Sequence, residues 1–291
     1  MDRLRLMAVL AHPDDESLGF GGILAKYAAE GVETFVITAT RGERGRYRGL
    51  SRDDARHPGS QALAALREAE LRAAASALGV HELSVLGYGD QQVDRAGPRE
   101  VIAAIAGNIR RVRPDVIVTF GPDGAYGHPD HVAIQRATTA AFFSSSVMGS
   151  EAPERLFYAT MLRDVFQGLA DASRGRGIVD GLDPDVFATS PEMVAVSFDA
   201  SPYLDQKFFA LTAHRSAYGV TPEMLKNPPP GAAKMLQAFR SVFEREVFLL
   251  GGARGPVRAW PLPDFFDGLE TAELDSMLDA SAAAGKSLAR G

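Results

Sequence analysis

Two short polar segments hold the residue types that metal-assisted hydrolysis needs. The first reads HPDDE and directly follows an apolar run, and the second reads HPDH. His12 and Asp15 are three residues apart in the first segment, a spacing that lets both side chains face one cation. His128 and His131 have the same spacing in the second. One His from each segment and one Asp make a two-histidine, one-carboxylate set, which leaves positions open for water and substrate.

The absence of Cys restricts the ligands of such a site. The chain contains no Cys, so a metal must be held by His, Asp, Glu or water. Zn²⁺ fits this set best among common ions, because it lowers the pKa of bound water to about 7 and polarises a carbonyl. Fe²⁺ or another divalent ion fits the same ligands. A dication also offsets the repulsion among Asp14, Asp15 and Glu16.

The remaining residues of the two segments have roles in amide hydrolysis. Asp14 lies between the two expected ligands of the first segment, where it can act as general base on the water. The tetrahedral oxyanion that follows needs a hydrogen-bond donor. His128 and Tyr126 are candidates because both flank the ligand histidine of the second segment. Asp130 is expected to accept from the ring N–H of His128 and to fix its tautomer.

Apolar runs alternate with amphipathic stretches in the first half of the chain. This alternation predicts an α/β fold with a Rossmann-like, mostly parallel sheet and helices on both faces. Ligands of such sheets bind beyond the carboxyl ends of the strands, at a topological switch point. The two polar segments follow the first and fourth strands, so the metal site is expected at this edge. Strands are predicted at 4–11, 33–40, 83–88 and 115–120, and helices at 17–31, 61–78, 99–112 and 130–143.

The second half of the chain is less regular. We expect a single domain over residues 1–270 and a helical or disordered tail over residues 271–291. Further strands are predicted at 155–162 and 192–198, a helix at 203–218, a break at 226–233, and an edge strand at 244–252.

The segments AHPDDE and GHPDH resemble the LmbE/PIG-L family of metal-dependent deacetylases. Members of that family remove N-acetyl groups from N-acetylglucosamine conjugates, and the resemblance spans roughly residues 4–250. It implies that His12, Asp15 and His131 bind the metal. It also implies that Asp14 is the general base.

The resemblance assigns further residues to the reaction and to the substrate. It implies that His128 stabilises the oxyanion or protonates the leaving amine, with Asp130 behind it. Tyr126 matches a tyrosine that some members use on the oxyanion. Arg67 in LREAEL and Asp90 in LGYGD match positions that hold the sugar, and TATRGERG matches a family loop.

Two departures from the family pattern leave local roles open. The family often shows AHRSQ near its C-terminal helix, whereas this chain has AHRSAY at residues 213–218. His214 keeps its place, but Ala217 replaces the Gln. The usual DG after the third strand is DQQ here, so that turn is altered as well.

A cluster of Arg follows the second predicted strand. Residues 41–56 carry six Arg against three acidic residues, and their place in the sequence puts them at the same sheet edge as the metal. One interpretation is a flap in which Arg44 and Arg46 bind substrate and attract an anionic aglycone. The alternative is a solvated loop with chance clustering of Arg.

Composition narrows the class of protein. With 46% hydrophobic residues, 23% charged residues and a net charge of -6, the chain is typical of soluble globular proteins, and its net charge argues against nonspecific nucleic-acid binding as a main role. No apolar run approaches the roughly 18 residues of a membrane span. The N-terminus lacks the pattern of a signal peptide, which predicts a cytoplasmic location. A homo-oligomer is compatible with the sequence.

These observations favour one function over two alternatives. The favoured function is a zinc-dependent hydrolase that removes an N-acyl group from a small amino-sugar conjugate. A non-haem Fe(II) oxygenase is one alternative, because two His and one carboxylate also suit iron. A catalytically inactive sugar-binding protein is the other.

Overall fold

The structure is a computed structural model of the chain. It describes residues 3–172, 181–219, 221, 223–224, 227 and 243–269. The predicted break at 226–233 falls almost entirely outside the described residues, and the predicted tail at 271–291 falls entirely outside them.

Within those residues, seven strands form one sheet, and the strands are bounded as follows: β1 (Arg5–Leu10), β2 (Glu33–Thr38), β3 (Glu82–Val85), β4 (Val116–Phe120), β5 (Arg155–Thr160), β6 (Val196–Asp199) and β7 (Arg245–Ala253). The strand order is β3-β2-β1-β4-β5-β7-β6. Strands β1 to β5 pair in parallel, whereas β7 is antiparallel to both β5 and β6. The predicted α/β fold with a mostly parallel sheet is confirmed.

Helices cover both faces of this sheet, with these bounds: α1 (Asp15–Gly19), α2 (Gly21–Ala29), α3 (Ser60–Ala77), α4 (Pro98–Val112), α5 (Gly124–Gly127), α6 (Pro129–Ser144), α7 (Arg163–Ala172), α8 (Pro184–Phe187), α9 (Leu204–Ala213) and α10 (Arg215–Tyr218). Helix α3 packs on α9, and α4 packs on α6. The central strands are buried on both faces, which explains why their sequences are continuous apolar runs. Among the described residues, no helix is both long enough and apolar enough to cross a membrane.

Two helices predicted as continuous are broken where a side chain has another function. The helix expected at 17–31 is divided at Phe20, whose backbone is non-helical and whose ring packs in the core against Phe120 and Phe248. The helix expected at 203–218 is divided at His214, which turns into the protein interior. Both breaks lie beside the first polar segment.

The prediction of an edge strand at 244–252 was wrong in one respect. The strand exists as β7, but it lies between β5 and β6, and β6 takes the edge. Val247 and Phe248 are buried, as expected for an inner strand. Because β7 is antiparallel, its first residues lie beside the carboxyl end of β5, where Thr160 pairs with Val247.

Candidate metal centre and active site

The carboxyl ends of β1 and β4 meet at the centre of the sheet and bring the two polar segments together. His12 Nδ1 lies 3.1 Å from His131 Nε2, across 119 positions of sequence. Asp15 Oδ1 lies 3.4 Å from His131 Nε2, and Asp15 Oδ2 lies 3.8 Å from His12 Nδ1. All three side chains are buried. The residues predicted as ligands therefore converge on one point at the topological switch between β1 and β4.

Neighbouring groups determine which ring nitrogen of each His faces that point. The carbonyl oxygen of Gly124, which can only accept, lies 3.2 Å from His131 Nδ1, so Nδ1 carries the proton and Nε2 keeps its lone pair. His12 Nε2 faces the carboxylates of Asp130 at 3.2 Å and Asp90 at 3.3 Å, so it is the donor of that ring. His12 Nδ1 and His131 Nε2, which face each other, are therefore the nitrogens whose lone pairs are available to a cation.

A third acceptor is fixed in the same place. Asp15 Oδ2 accepts from the backbone N–H of His12 at 2.7 Å and of Ala11 at 3.2 Å, which orients the carboxylate. Burial raises the pKa of Asp15 to about 7, and Asp14 adds to the effect, while His12 opposes it. Two imidazole nitrogens and an oriented carboxylate pointing at each other are unfavourable unless a proton or a cation lies among them.

The carboxylates around His12 favour a positive charge at this point. Burial by itself lowers the pKa of His12, but Asp130, Asp90 and Asp15 together raise it to about 10. These carboxylates thus favour a positive charge where His12 Nδ1 faces His131 Nε2. A divalent ion would supply that charge, because imidazole ligands bind metals in their neutral form. The donor set therefore fits a divalent cation.

Two other sets of potential ligands share His12. The ligand atoms of His12, His128 and His131 lie within 4.8 Å of one another, and so do those of His12, Asp90 and Asp130. His128 Nδ1 accepts the backbone N–H of Asp130 at 3.2 Å, which leaves the proton on Nε2 in the neutral ring. Burial lowers the pKa of His128, with His12 adding to the effect, so the neutral ring is favoured. His128 is therefore arranged as a hydrogen-bond donor.

The predicted partner of Asp130 was wrong. Its carboxylate contacts His12 Nε2 and accepts the backbone N–H groups of Gln91 at 2.7 Å and Val93 at 3.0 Å. The physical reason is that Asp130 is fully buried against the turn after β3, whereas His128 is the half-exposed N-cap of α6. Asp130 thus orients His12 through its side chain and His128 through its backbone.

Asp14 is held in a strained position beside the expected ligands. Its φ of 117° lies in the left-handed region, which costs a non-glycine residue about 1–3 kcal/mol. Its Oδ2 accepts a hydrogen bond from the Tyr218 hydroxyl at 2.8 Å. Burial raises the pKa of Asp14, and His214 and Arg67 partly oppose this. A carboxylate with a raised pKa is suited to general-base chemistry near neutral pH.

Tyr218 belongs to the AHRSAY segment, whose role the sequence left open. His214 Nε2 lies 2.6 Å from the buried Glu16 carboxylate, which also accepts the backbone N–H of Asp14 at 3.0 Å. Ser216 donates its backbone N–H to Glu70 of α3 at 2.9 Å. The segment therefore supports the Asp14 turn. Sequence reasoning missed Tyr218 and Glu16, and the retained His214 was the available signal.

Arg67 and Asp90 lie on the β2 and β3 side of the centre. Arg67 is buried, and its Nε–H has no hydrogen-bond partner among the described residues. Gly42 packs against it so closely that a Cβ would lie 2.5 Å from Arg67 Nη1, and its φ of 64° independently favours glycine. Asp90 Oδ2 accepts the backbone N–H of Arg44 at 2.7 Å. The Arg-rich loop is thereby attached to the site.

The Arg side chains of residues 41–56 differ in their surroundings. Arg41 is paired with Glu68 at 2.6 Å, and the exposed Arg56 is paired with Asp54. The Arg44 guanidinium contacts the side-chain amide of Gln92. Arg46 is exposed to solvent. The loop lies where the sequence predicted, and the substrate role of Arg44 and Arg46 stays a prediction.

The chain is thus an α/β protein with a two-histidine, one-carboxylate cluster at its switch point. The sequence model of PIG-L, described as GlcNAc-PI de-N-acetylase, matches residues 7–142. A 1D-myo-inositol 2-acetamido-2-deoxy-alpha-D-glucopyranoside deacetylase of Actinosynnema mirum is 36% identical over 229 residues, which cover 72% of this chain and 79% of the relative. The chain belongs to the PIG-L (LmbE-like) family of deacetylases, and the resemblance seen in the two motifs is confirmed.

Solved structures share the fold at lower identity. The N,N'-diacetylchitobiose deacetylase of Pyrococcus horikoshii superposes with a TM-score of 0.56 at 21% identity, covering 86% of this chain and 84% of that one. The 4-carboxy-2-hydroxymuconate hydratase of Pseudomonas putida gives a TM-score of 0.61 at 15% identity, covering 88% and 99%. Because a hydratase and a deacetylase share this fold, the reaction has to be argued from the site.

Proposed function

We propose that this chain is a zinc-dependent deacetylase of a small N-acetylglucosamine-type conjugate. The observation that carries the proposal is the convergence of His12, Asp15 and His131 on one point, with Asp14 beside them. The deacetylase from Actinosynnema mirum is named for an inositol conjugate of N-acetylglucosamine. That compound is the first substrate to assay.

In this proposal His12, Asp15 and His131 hold the metal. A bound Zn²⁺ supplies acidity to water and polarises the amide carbonyl. Asp14 accepts the proton of the attacking water and passes it to the nitrogen as the C–N bond breaks, which yields a carboxylate and a free amine. The Tyr218 hydroxyl and the backbone support from Glu16 keep the Asp14 carboxylate in place.

Two donors are assigned to the oxyanion. His128 presents an Nε2–H because its Nδ1 is occupied by the backbone N–H of Asp130. Burial raises the pKa of the Tyr126 hydroxyl, and the surrounding carboxylates add to the effect, so the hydroxyl keeps its proton at neutral pH. Preorganised donors of this kind stabilise charge that develops on the carbonyl oxygen.

The sugar is assigned to Arg67 and Asp90. The position of Arg67 favours this, because, against the effect of burial, its charge acts to lower the pKa of both Asp90 and Asp14 and therefore lies beside the candidate metal centre. Arg44 and Arg46 then face the aglycone, with a preference for a carboxylate or phosphate substituent.

Metal content and amine release test the proposal together. Chelation should abolish activity and Zn²⁺ should restore it, and elemental analysis of His131→Ala should show loss of the metal. His81→Ala is the matched control, because His81 is exposed and lies against Phe35. Full metal occupancy with normal turnover in His131→Ala would overturn the ligand assignment.

Assays on the same preparation distinguish the deacetylase from an oxygenase and from a sugar-binding protein. A panel of N-acetylglucosaminides with different aglycones is scored by amine release. Oxygen uptake with Fe(II) and a keto acid, without amine release, would instead indicate an oxygenase. Bound metal without hydrolysis of any amide would indicate a sugar-binding protein.

A further inference from the structure

An apolar cavity of about 210 Å³ adjoins the candidate metal centre. Asp15, Tyr126 and His131 form its polar end. Its apolar wall comes from the end of β5 and from α7, and includes Met161, Leu162, Val165, Phe166 and Leu169. We call these five residues the apolar flank. Four of the five are only partly buried, so the wall is accessible from the cavity.

The position of the cavity follows from the strand order. The apolar flank lies beyond β5, on one side of the junction between β1 and β4. Arg44, Arg67 and Asp90, which we call the polar flank, follow or pack beside β2 and β3 on the other side. None of these three lines the cavity. The candidate metal centre therefore separates a polar region from an apolar one.

We propose that the cavity binds the acyl chain of the substrate and that the enzyme prefers medium-chain N-acyl groups to acetyl. The inference rests on the proposed function, because it needs an amide carbonyl at the metal centre. An amide held there has its amine on one side and its acyl group on the other. The polar flank suits the amino sugar, and the apolar flank is left for the acyl group.

A sugar or polar aglycone does not suit the cavity. Each hydroxyl moved from water into an apolar wall without a partner is strongly disfavoured. The charged Glu246 at the border is already engaged, since its carboxylate accepts from Lys207 at 2.5 Å and from the backbone N–H of Gly22 at 2.8 Å. Asp123 is likewise engaged with the backbone N–H of Ala125 at 2.8 Å. Arg245, the other charged residue of the lining, lies at the exposed first position of β7. The apolar flank therefore favours a hydrocarbon chain.

The volume indicates the length of chain. An apolar cavity of about 150 Å³ holds a benzene ring of six carbons. A cavity of about 210 Å³ then suits an acyl group of roughly six to eight carbons. Each methylene buried in an apolar site improves binding by up to about fourfold, so the preference should grow with length until the cavity is full.

A chain-length series on one amine tests the proposal. N-acetyl-, N-butyryl-, N-hexanoyl- and N-octanoylglucosamine are compared by kcat/KM with the zinc-loaded protein, and N-acetylglucosaminides of equal alkyl length at the aglycone serve as the second series. We expect kcat/KM to rise at least tenfold from acetyl to hexanoyl or octanoyl and to change little along the aglycone series. Calorimetry should show octanoate binding to the protein far more tightly than acetate, which is a readout independent of turnover.

A bulky substitution in the wall sharpens the test. Val165→Trp should lower the octanoyl-to-acetyl ratio of kcat/KM by tenfold or more and weaken octanoate binding. Val147→Trp is the control, because Val147 is 90% exposed and lies outside the cavity lining. If Val165→Trp does not fold, Leu162→Phe replaces it.

The outcomes separate this proposal from the proposed function. Hydrolysis of N-acetyl substrates with no gain along the acyl series, or a gain along the aglycone series instead, would overturn the acyl cavity and leave the deacetylase intact. Failure to hydrolyse any amide would overturn both. A chain-length ratio that Val165→Trp and Leu162→Phe leave unchanged would also overturn the cavity assignment.

Discussion

The two flanks of the candidate metal centre differ in composition and in construction. The polar flank is built from a loop, a turn and one buried Arg, and its groups are held by charged hydrogen bonds such as that between Asp90 and the backbone of Arg44. The apolar flank is built from residues at the end of a strand and on the following helix. Its five side chains are all apolar. If the proposed substrate placement holds, the contrast means that each half of the amide is recognised by a different kind of interaction.

The candidate metal centre belongs to neither flank, because its residues come from the ends of β1 and β4. A change in the catalytic groups should therefore affect all substrates alike, whereas a change in one flank should affect one half of the substrate. The following predictions use that distinction.

Asp14→Asn has the largest expected effect. It should keep the metal and lower kcat by about 10²–10⁴-fold, because a general base contributes only in the transition state. The loss should be equal for acetyl and octanoyl substrates. Steady-state kinetics and metal analysis measure it, and loss of the metal would make Asp14 a ligand instead.

His214→Gln tests the support of the Asp14 turn. Removing one partner of a buried ion pair costs about 3–5 kcal/mol, and Glu16 and His214 are both almost fully buried. Urea unfolding of wild type and His214→Gln measures this loss in the free energy of unfolding. His81→Gln, at an exposed His, is the control and should change little.

The same pair predicts a dependence of stability on pH. Burial alone raises the pKa of Glu16, but His214 outweighs it and lowers the pKa, so the carboxylate stabilises the fold above its unfolded value of 4.5. Burial alone lowers the pKa of His214, but Glu16 outweighs it and raises the pKa, so the imidazolium stabilises the fold below its unfolded value of 6.5. The difference between wild type and His214→Gln should be largest near pH 5–6 and should shrink above the raised pKa of His214. A difference that does not vary with pH would contradict the ion pair.

His128→Ala should lower kcat by about 10²–10³-fold with the metal still bound, because it removes an oxyanion donor. Tyr126→Phe should lower kcat by a smaller factor. Since Tyr126 also borders the apolar cavity, loss of its hydroxyl makes that border less polar and should change the octanoyl-to-acetyl ratio of kcat/KM, whereas His128→Ala should not. Equal octanoyl-to-acetyl ratios of kcat/KM in the two variants would contradict the distinction between the candidate metal centre and the apolar cavity.

Tyr218→Phe should lower kcat by about 10- to 100-fold, the value of one hydrogen bond to a charged acceptor. The hydroxyl stabilises the ionised Asp14, so its removal raises the pKa of Asp14. The acidic limb of the kcat profile should therefore move to higher pH. An unchanged profile would leave Tyr218 with a packing role only.

The smallest effect is expected in the Arg-rich loop at residues 41–56, which includes Arg44 of the polar flank. Replacing Arg44, Arg46 and Arg48 by Gln should raise KM for an N-acetylglucosaminide with an acidic aglycone and leave neutral aglycones unaffected. The effect should decrease as salt rises, because exposed charges are screened over about 8 Å at physiological ionic strength. Equal KM changes for both aglycones would assign the loop to structure alone.

The sequence alone determined the order of strands and helices and the place of the metal motifs within it. Apolar runs and helical periodicity are local properties, and a motif that follows a parallel strand must lie at the carboxyl edge of the sheet. Residue types and spacing in this way indicate one His from each segment and one Asp, and the family resemblance implies the set His12, Asp15 and His131. The family resemblance rests on the same motifs.

Tertiary structure alone decided which residues support the motifs and what surrounds them. The contact of Asp130 with His12, the hydrogen bond from Tyr218 to Asp14 and the inner position of β7 join residues that are far apart in the sequence. Neither periodicity nor spacing specifies such pairs, because they depend on how separate elements pack against one another. The apolar cavity is decided in the same way, since its walls meet only once β7 has paired antiparallel with β5 and placed its first residues beside the end of that strand.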